Sequence, residues 1–276
     1  MGEKVTEKTD IPALIQKIKY SRKYRGMGIP YSTIEDVLRR ELERHPKPAD
    51  AQRSAKAILH NIMAPYLGDV DYVEAELLLD NAFASNDVKT IKDTCRTILS
   101  QHDSTRERLP YLENFYRQIL EICPHPSSIL DLACGLNPFS FPYMGLPTTV
   151  RYNAYDIHQP RVALINRFFK GMELAPLAEV RDILVNPPEN QADAAFLFKE
   201  AHRIEKRRKG ASRELVASQN ASVIFISLPN RSLDGRRDLR ARMDVLFSSI
   251  TEGVTGLTGS VEFPGETLYW IERRNG

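Results

Sequence analysis

One segment restricts the fold of this chain more than any other: Ser128-Ile-Leu-Asp-Leu-Ala-Cys-Gly-Leu-Asn-Pro138. An apolar run with strand character leads straight into a turn at Gly135. Open parallel sheets use this arrangement to bring backbone close to a ligand, because a Cβ at the turn would intrude. Asp131 lies near the end of the strand, where such sheets bind. Asp156 closes the next apolar run, 21 residues after Gly135, which is the spacing of an acid that holds a ribose. Asp182 follows a third run, in reach of an adenine amino group.

The segment has one glycine where a dinucleotide site has Gly-x-Gly-x-x-Gly. A pyrophosphate needs the fuller pattern; a nucleoside cofactor without phosphates does not. The segment therefore favours S-adenosylmethionine (SAM) over NAD. A sheet protein with a plain glycine turn and unremarkable acids is the alternative.

The surrounding sequence has the rhythm of an α/β domain. Short apolar runs at Ser128–Ala133, Tyr152–Tyr155, Glu179–Arg181, Ala194–Phe198 and Ser222–Leu228 alternate with helical stretches, which predicts a parallel sheet covered on both faces. Glu266–Glu272 reads as an antiparallel edge strand, and Tyr111–Ile122 as an amphipathic helix. Before it the pattern is helical. Ser32-Thr-Ile-Glu35 matches a capping box, and Asp50, Asp71 and Asp87 each stand before an apolar stretch, as N-caps do. The expected organisation is a helical domain over residues 1–102 and a Rossmann-like domain over 103–276.

Composition removes several classes. Hydrophobic residues make up 42 % of the 276, enough for a sizeable core. No run reaches the ~18 apolar residues of a membrane span, and the charged start lacks a signal peptide's apolar centre, so no membrane partner and a cytoplasmic location are expected. Cys95, Cys123 and Cys134 are too widely spaced for a disulfide framework or a zinc site; no metal is expected.

Three segments together, His102-Asp-Ser-Thr-Arg-Glu-Arg-Leu-Pro110, Asp131-Leu-Ala-Cys-Gly-Leu-Asn-Pro138 and Pro142-Tyr-Met-Gly-Leu-Pro147, resemble the aminoglycoside-resistance 16S rRNA methyltransferases, which methylate N7 of a decoding-site guanine. Ser21-Arg-Lys-Tyr24 and Glu266-Thr-Leu-Tyr-Trp-Ile271 resemble family segments too. The resemblance implies a helical rRNA-binding domain followed by a class I SAM-dependent methyltransferase domain. It implies SAM as cofactor, S-adenosylhomocysteine as product, and 16S rRNA of the 30S subunit as partner, with no obligate protein partner. By resemblance Arg108 meets the SAM carboxylate, Gly135 the methionine part and Asp156 the ribose, with Asp131, Ala133 and Ile157 in the same site and Asp182 and Ile183 at the adenine. A capping box alone accounts for Ser104 and Glu107 but not for Arg106 and Arg108.

The resemblance has departures. After Lys199 the chain reads Glu-Ala-His-Arg203 where the family has a T-L-P-like turn. Around Leu228-Pro-Asn-Arg-Ser-Leu-Asp-Gly-Arg236, residues Leu228, Asn230 and Asp234 replace Phe, Thr and Gly. These are substrate-side positions, so another rRNA base or another structured RNA stays open as target, and so does a non-catalytic RNA-binding homologue.

The absence of a nucleophile or a His–acid pair suits guanine N7, whose in-plane lone pair needs no general base; positioning is enough. Asn186-Pro-Pro188 precedes the fourth strand and is followed by Glu189, so it does not form the Asn-Pro-Pro-aromatic turn of an adenine-N6 enzyme. Lys199 stands at the right place to hold guanine O6 or a phosphate. The target base is expected to be flipped out and stacked on an aromatic; Tyr143 is the candidate, while Phe139 reads as core. Basic residues cluster at Lys17, Lys19, Arg22, Lys23 and Arg25, at Lys206, Arg207 and Arg208, and at Arg231 and Arg236. In a chain of net charge +2, such clusters imply an asymmetric, RNA-facing surface, although a charge run is often only a solvated face.

Overall fold

A computed structural model describes residues 10–22, 24–25, 27–66, 70–175, 178–232 and 235–273. Lys23 and Asp234 lie outside the described residues. The chain divides into two compact units, Met1–Leu67 and Gly68–Gly276.

Among its described residues the first unit packs three α-helices: α1 (Ile11–Lys19), α2 (Tyr31–Arg44) and α3 (Pro48–Met63). Asp10 caps α1 by accepting the Ala13 N–H at 3.0 Å. Ile34, Val37, Leu38 and Glu41 of α2 and Ala51, Ala55, Leu59 and Met63 of α3 are buried, at the spacing that puts them on one face of each helix. Buried Glu41 accepts from Ser54 of α3 at 2.6 Å. Two expected caps are corrected. Helix α2 begins at Tyr31 after Pro30, so Ser32 is already inside it; Pro48 starts α3 after Lys47, which puts Asp50 in the first turn. In both cases a proline with preset φ marks the boundary.

The second unit opens with α4 (Tyr72–Ala84), α5 (Val88–Ser100), α6 (Asp103–Arg106) and α7 (Leu112–Ile122). Asp71 caps α4 and Asp87 caps α5, each accepting two backbone N–H groups. The sheet elements follow: β1 (Ser128–Leu132), β2 (Arg151–Asp156), α8 (Gln159–Gly171), β3 (Ala178–Val180), β4 (Gln191–Phe198), α9 (Ala201–Arg207), α10 (Ala211–Ser218), β5 (Asn220–Pro229), α11 (Arg240–Thr251), β6 (Leu257–Glu262) and β7 (Glu266–Glu272). The domain break expected at 102/103 differs from this division, because α4 packs on α8 and α5 on the 3-10 segment Asn137–Tyr143.

The strand order is β3-β2-β1-β4-β5-β7-β6. Strands β1 to β5 pair in parallel, and β7 runs antiparallel to both β5 and β6. The expected edge strand β7 is therefore interior, and a further strand, β6, forms the edge. All five residues of β1 are buried, as a strand covered on both faces requires. Two apolar layers sandwich the sheet: one joins α4, α5, α7 and α8 through residues such as Leu79, Phe115, Phe139 and Phe168, the other joins α9, α10 and α11 through Ile204, Val216 and Ile250. Phe139 is fully buried core, as its sequence context suggests. Chain order reverses between β1 and β4, and open α/β sheets bind ligands outside the C-terminal strand ends at such a point.

Candidate functional site

The loops after β1 and β4 flank that point, and both contain left-handed backbone: Ala133 (φ 51°), Gly135 (φ 56°) and Lys199 (φ 53°). For residues with a Cβ this conformation is uncommon and is held by its surroundings. Here the Cys134 N–H donates to the Tyr155 carbonyl at 2.8 Å, and the Lys199 N–H to the Ser227 carbonyl at 2.9 Å. The turn after β1 is tied to β2 by the Gly135 N–H, which donates to Asp156 at 3.0 Å. The other oxygen of Asp156 accepts the His158 N–H at 2.8 Å, and the Arg161 guanidinium lies 3.6 Å from the carboxylate. Asp156 therefore shapes the very turn that a ligand would approach.

Beneath the turn lies a buried polar network. Asp131 accepts from Asn137 Nδ2 at 2.9 Å and from the Tyr152 hydroxyl at 2.7 Å, both on Oδ2. Its Oδ1 is buried with no hydrogen-bond partner among the described residues. Burial pushes the Asp131 carboxyl up to about 7, against the lowering effect of Tyr152 and Asn137. Asn137 Oδ1 accepts from Tyr116 at 2.6 Å and Arg108 at 3.1 Å. Arg108 forks onto Glu266 at 2.7 and 2.6 Å and lies against the rings of Phe115 and Phe198, 4.2 and 4.8 Å from their centroids. Burial alone would raise the Glu266 carboxyl, but the Arg108 guanidinium holds it below its ordinary range. The bidentate face that the resemblance assigns to a cofactor carboxylate is thus filled by Glu266. Neither Glu266 nor Asn137 was singled out from sequence, although an acid opening the apolar run Thr-Leu-Tyr-Trp-Ile271 is a signal of a buried charge in need of a cation.

Asp182, after β3, accepts both arms of Arg207 at 2.9 and 2.5 Å. Ile157 and Ile183 are buried beside the two acids. The sequence pattern groups Arg207 with the RNA-facing basic residues; its place on α9 turns it inward to Asp182, while Lys206 is exposed and Arg208 pairs with Glu214 at 2.7 Å. Lys199 is buried rather than a surface lysine, and its Nζ lies 2.6 Å from Glu107. No capping box forms at Ser104–Glu107: His102 takes the N-cap position and accepts the Ser104 N–H. Tyr143 donates to the Lys92 carbonyl at 2.7 Å, with the Lys92 ammonium 5.5 Å from its ring centroid. That holds the ring against α5 at the margin of the core, a packing position.

The substrate-side departures also have structural places. Asn230 is buried and braces the hairpin, donating to Phe263 at 2.8 Å and accepting from Thr267 at 2.6 Å. After Lys199, burial pushes Glu200 up to about 7 and His202 down to about 4, the latter with help from Arg203. Burial also lowers His158 to about 4. Arg231 and Arg236 are exposed. In the first unit Lys17, Arg22 and Arg25 are exposed and Lys19 is half-buried, with Tyr20 62 % exposed among them.

A SAM-like group fits these residues. An unmet buried carboxylate oxygen suits an ammonium, and a left-handed turn gives close backbone approach. The single glycine suits a group without phosphates. Among the described residues no His, Cys, Asp or Glu group could hold a metal ion, no helix is long and apolar enough to cross a membrane, and the three cysteines are free and buried.

The profile described as "Ribosomal RNA methyltransferase (FmrO)" matches residues 20–252. A protein of Micromonospora echinospora named 16S rRNA (guanine(1405)-N(7))-methyltransferase is 32 % identical over 263 residues, covering 94 % of this chain and 95 % of that one. A protein of the same name from Frankia casuarinae is 33 % identical over 267 residues, covering 94 % and 92 %. The crystal structure of the 16S rRNA methyltransferase RmtF in complex with S-adenosyl-L-homocysteine superposes with a TM-score of 0.77 at 27 % identity, over 99 % of this chain and 100 % of that one.

Proposed function

The chain belongs to the FmrO family of ribosomal RNA methyltransferases, and from that membership we propose that it methylates N7 of a decoding-site guanine in the 16S rRNA of assembled 30S subunits and so confers aminoglycoside resistance. The enzyme is a SAM-dependent rRNA (guanine-N7) methyltransferase. The observation that carries the reading is the turn after β1, where a left-handed Gly135 is clamped to Asp156, at the end of the strand that holds Asp131 and its unmet oxygen.

In this reading Asp131, Ala133 and Gly135 receive the methionine part, Asp156 and Ile157 the ribose, and Asp182 and Ile183 the adenine. Arg108 acts from beneath by fixing Glu266 and Asn137. Bound there, SAM supplies an electrophilic sulfonium methyl that guanine N7 can take without losing a proton. The protein's task is then to hold the base in line, and Lys199 is the side chain that would meet it. The nearby histidines are suited to staying neutral: burial lowers His102, His158 and His202 alike. The helical region over 1–102 is the rRNA-binding part, through Lys17, Lys19, Arg22, Lys23 and Arg25, with Lys206, Arg208, Arg231 and Arg236 meeting RNA from the methyltransferase domain. The reaction takes place in the cytoplasm.

Two measurements test this. Incubation with tritiated SAM and 30S subunits, followed by mass mapping of the rRNA, should locate one N7-methylguanine in the decoding site. Expression in a sensitive bacterium should raise resistance to gentamicin and kanamycin and spare apramycin, because the added methyl stands where the third ring of the 4,6-disubstituted drugs sits. Soluble protein with unchanged gentamicin sensitivity, or a methyl mapped to another base, would overturn the target.

A further inference from the structure

We propose that Glu107 and Lys199 form a paired reader of the guanine edge that selects the target base, a proposal that rests on the guanine-N7 reading above. Lys199 Nζ and Glu107 Oε2 lie 2.6 Å apart, with the lysine side chain 6 % exposed and the glutamate 41 %. An ammonium and a carboxylate therefore stand side by side at the C-terminal strand ends, the carboxylate the more open of the two. The lysine is held there with a left-handed backbone, its N–H bonded to both the carbonyl and the hydroxyl of Ser227. Other uses for the glutamate are taken: Arg108 is neutralised by Glu266, and His102 caps α6.

The pair matches guanine and opposes adenine. Guanine presents O6 as an acceptor, then N1–H and the 2-amino group as donors; adenine presents an amino donor and then a bare N1 acceptor. An ammonium on O6 with a carboxylate on N1–H and the 2-amino group satisfies every guanine position. Against adenine the same pair sets donor on donor and acceptor on acceptor, which is how a polar site rejects a near-isostere. The order also fits. Across the strand ends come Asp156 after β2, Gly135 after β1, Lys199 after β4, and then Glu107, whose Oε2 is 3.7 Å from where a Cβ on Gly265 would stand, in the turn before β7. This follows the sequence N7, O6, N1 along the base, with N7 toward the cofactor side. A phosphate is the poorer occupant for Lys199, because Glu107 cancels its charge.

The test compares N7 methylation of 30S subunits carrying guanosine or inosine at the target. Inosine keeps N7, O6 and N1–H and lacks only the 2-amino group. The wild-type enzyme should lose about tenfold or more in kcat/KM on inosine, since one good base-edge hydrogen-bond pair discriminates on that scale. Glu107→Ala should lose at least that factor on guanosine, since the N1–H partner goes too, and its inosine penalty should vanish, because the partner of the missing group is already gone. A merely structural role leaves the inosine penalty of the variant equal to that of wild type, and that result would overturn the reader. Glu107→Gln keeps the side-chain shape if the alanine variant fails to fold, and equal wild-type rates on the two substrates overturn the proposal without any variant. Wild-type enzyme that methylates guanosine but ignores the 2-amino group removes the reader alone. Enzyme that methylates no guanine N7 removes the function reading and this proposal with it.

Discussion

Asp131 is 1 % exposed, and one of its oxygens has no partner among the described residues, so its ionised form is costly to bury. Its folded carboxyl, pushed up to about 7, stands above the ~3.9 of an unfolded chain. Between about pH 4 and 7 the folded protein keeps a proton that the unfolded chain has released, so stability falls as pH rises through that window, with a slope approaching about 1.4 kcal/mol per pH unit. Thermal unfolding of Asp131→Asn should lack this component; Glu200, raised into the same range, remains in both proteins and cancels in the comparison. An equal pH slope in the two proteins would show that Asp131 is not the group. Arg207 belongs to the same scale. Its bidentate bond to Asp182, 2 % exposed at the side chain, orients the acid assigned to adenine. Arg207→Ala should weaken SAM binding by about 1–3 kcal/mol, the cost of leaving a buried polar group without its partner, while Arg208→Ala changes it little. Calorimetry on both variants reads this directly, and a loss confined to 30S binding would return Arg207 to the RNA surface.

Among the elements, β6 is the least expected and the most exposed. Among the described residues it pairs only with β7, and most of its residues face solvent. Gly259 lets it lie flat: a Cβ there would run into the indole ring of Trp270 on β7. Overpacking of this kind typically costs about 1–3 kcal/mol. Gly259→Ala should therefore lower the melting temperature and shift indole emission, and Trp270 is the chain's one tryptophan, so the signal is unambiguous. Unchanged emission and melting would mean that the edge strand moves away at no cost. The prediction concerns more than stability, because β7 begins at Glu266, the partner of Arg108.

For the whole molecule, the question is where RNA is held. Lys17, Arg22 and Arg25 are exposed in the helical unit, separate in sequence from every residue assigned to the cofactor. If they bind phosphates, removing any one of them should lower the slope of log affinity against log salt by roughly one unit or less. Reversing Arg22 and Arg25 to glutamate should weaken 30S binding and flatten its salt dependence while leaving SAM affinity unchanged. Filter binding across a salt series checks this, and equal slopes would assign the cluster to a solvated face.

Much of this was legible in the chain itself. The glycine turn, its acids and the alternation of apolar runs with helices determined an α/β sheet with a nucleoside crevice at its C-terminal ends, because periodicity and turn chemistry act over a few residues and are written locally. Tyr143, Arg207 and Glu107 show where that stops. An aromatic, a basic residue and a capping acid look alike whether they face a ligand, the solvent or a neighbour. Only the tertiary structure turned Tyr143 onto α5, Arg207 onto Asp182 and Glu107 onto Lys199, since partners 25 to 92 residues apart are brought together by the packing of separate elements. It likewise decided that β7 is interior and that Glu266 lies against Arg108, 158 residues away: a buried charge can be suspected from its apolar neighbours, but its counter-ion is chosen by the fold.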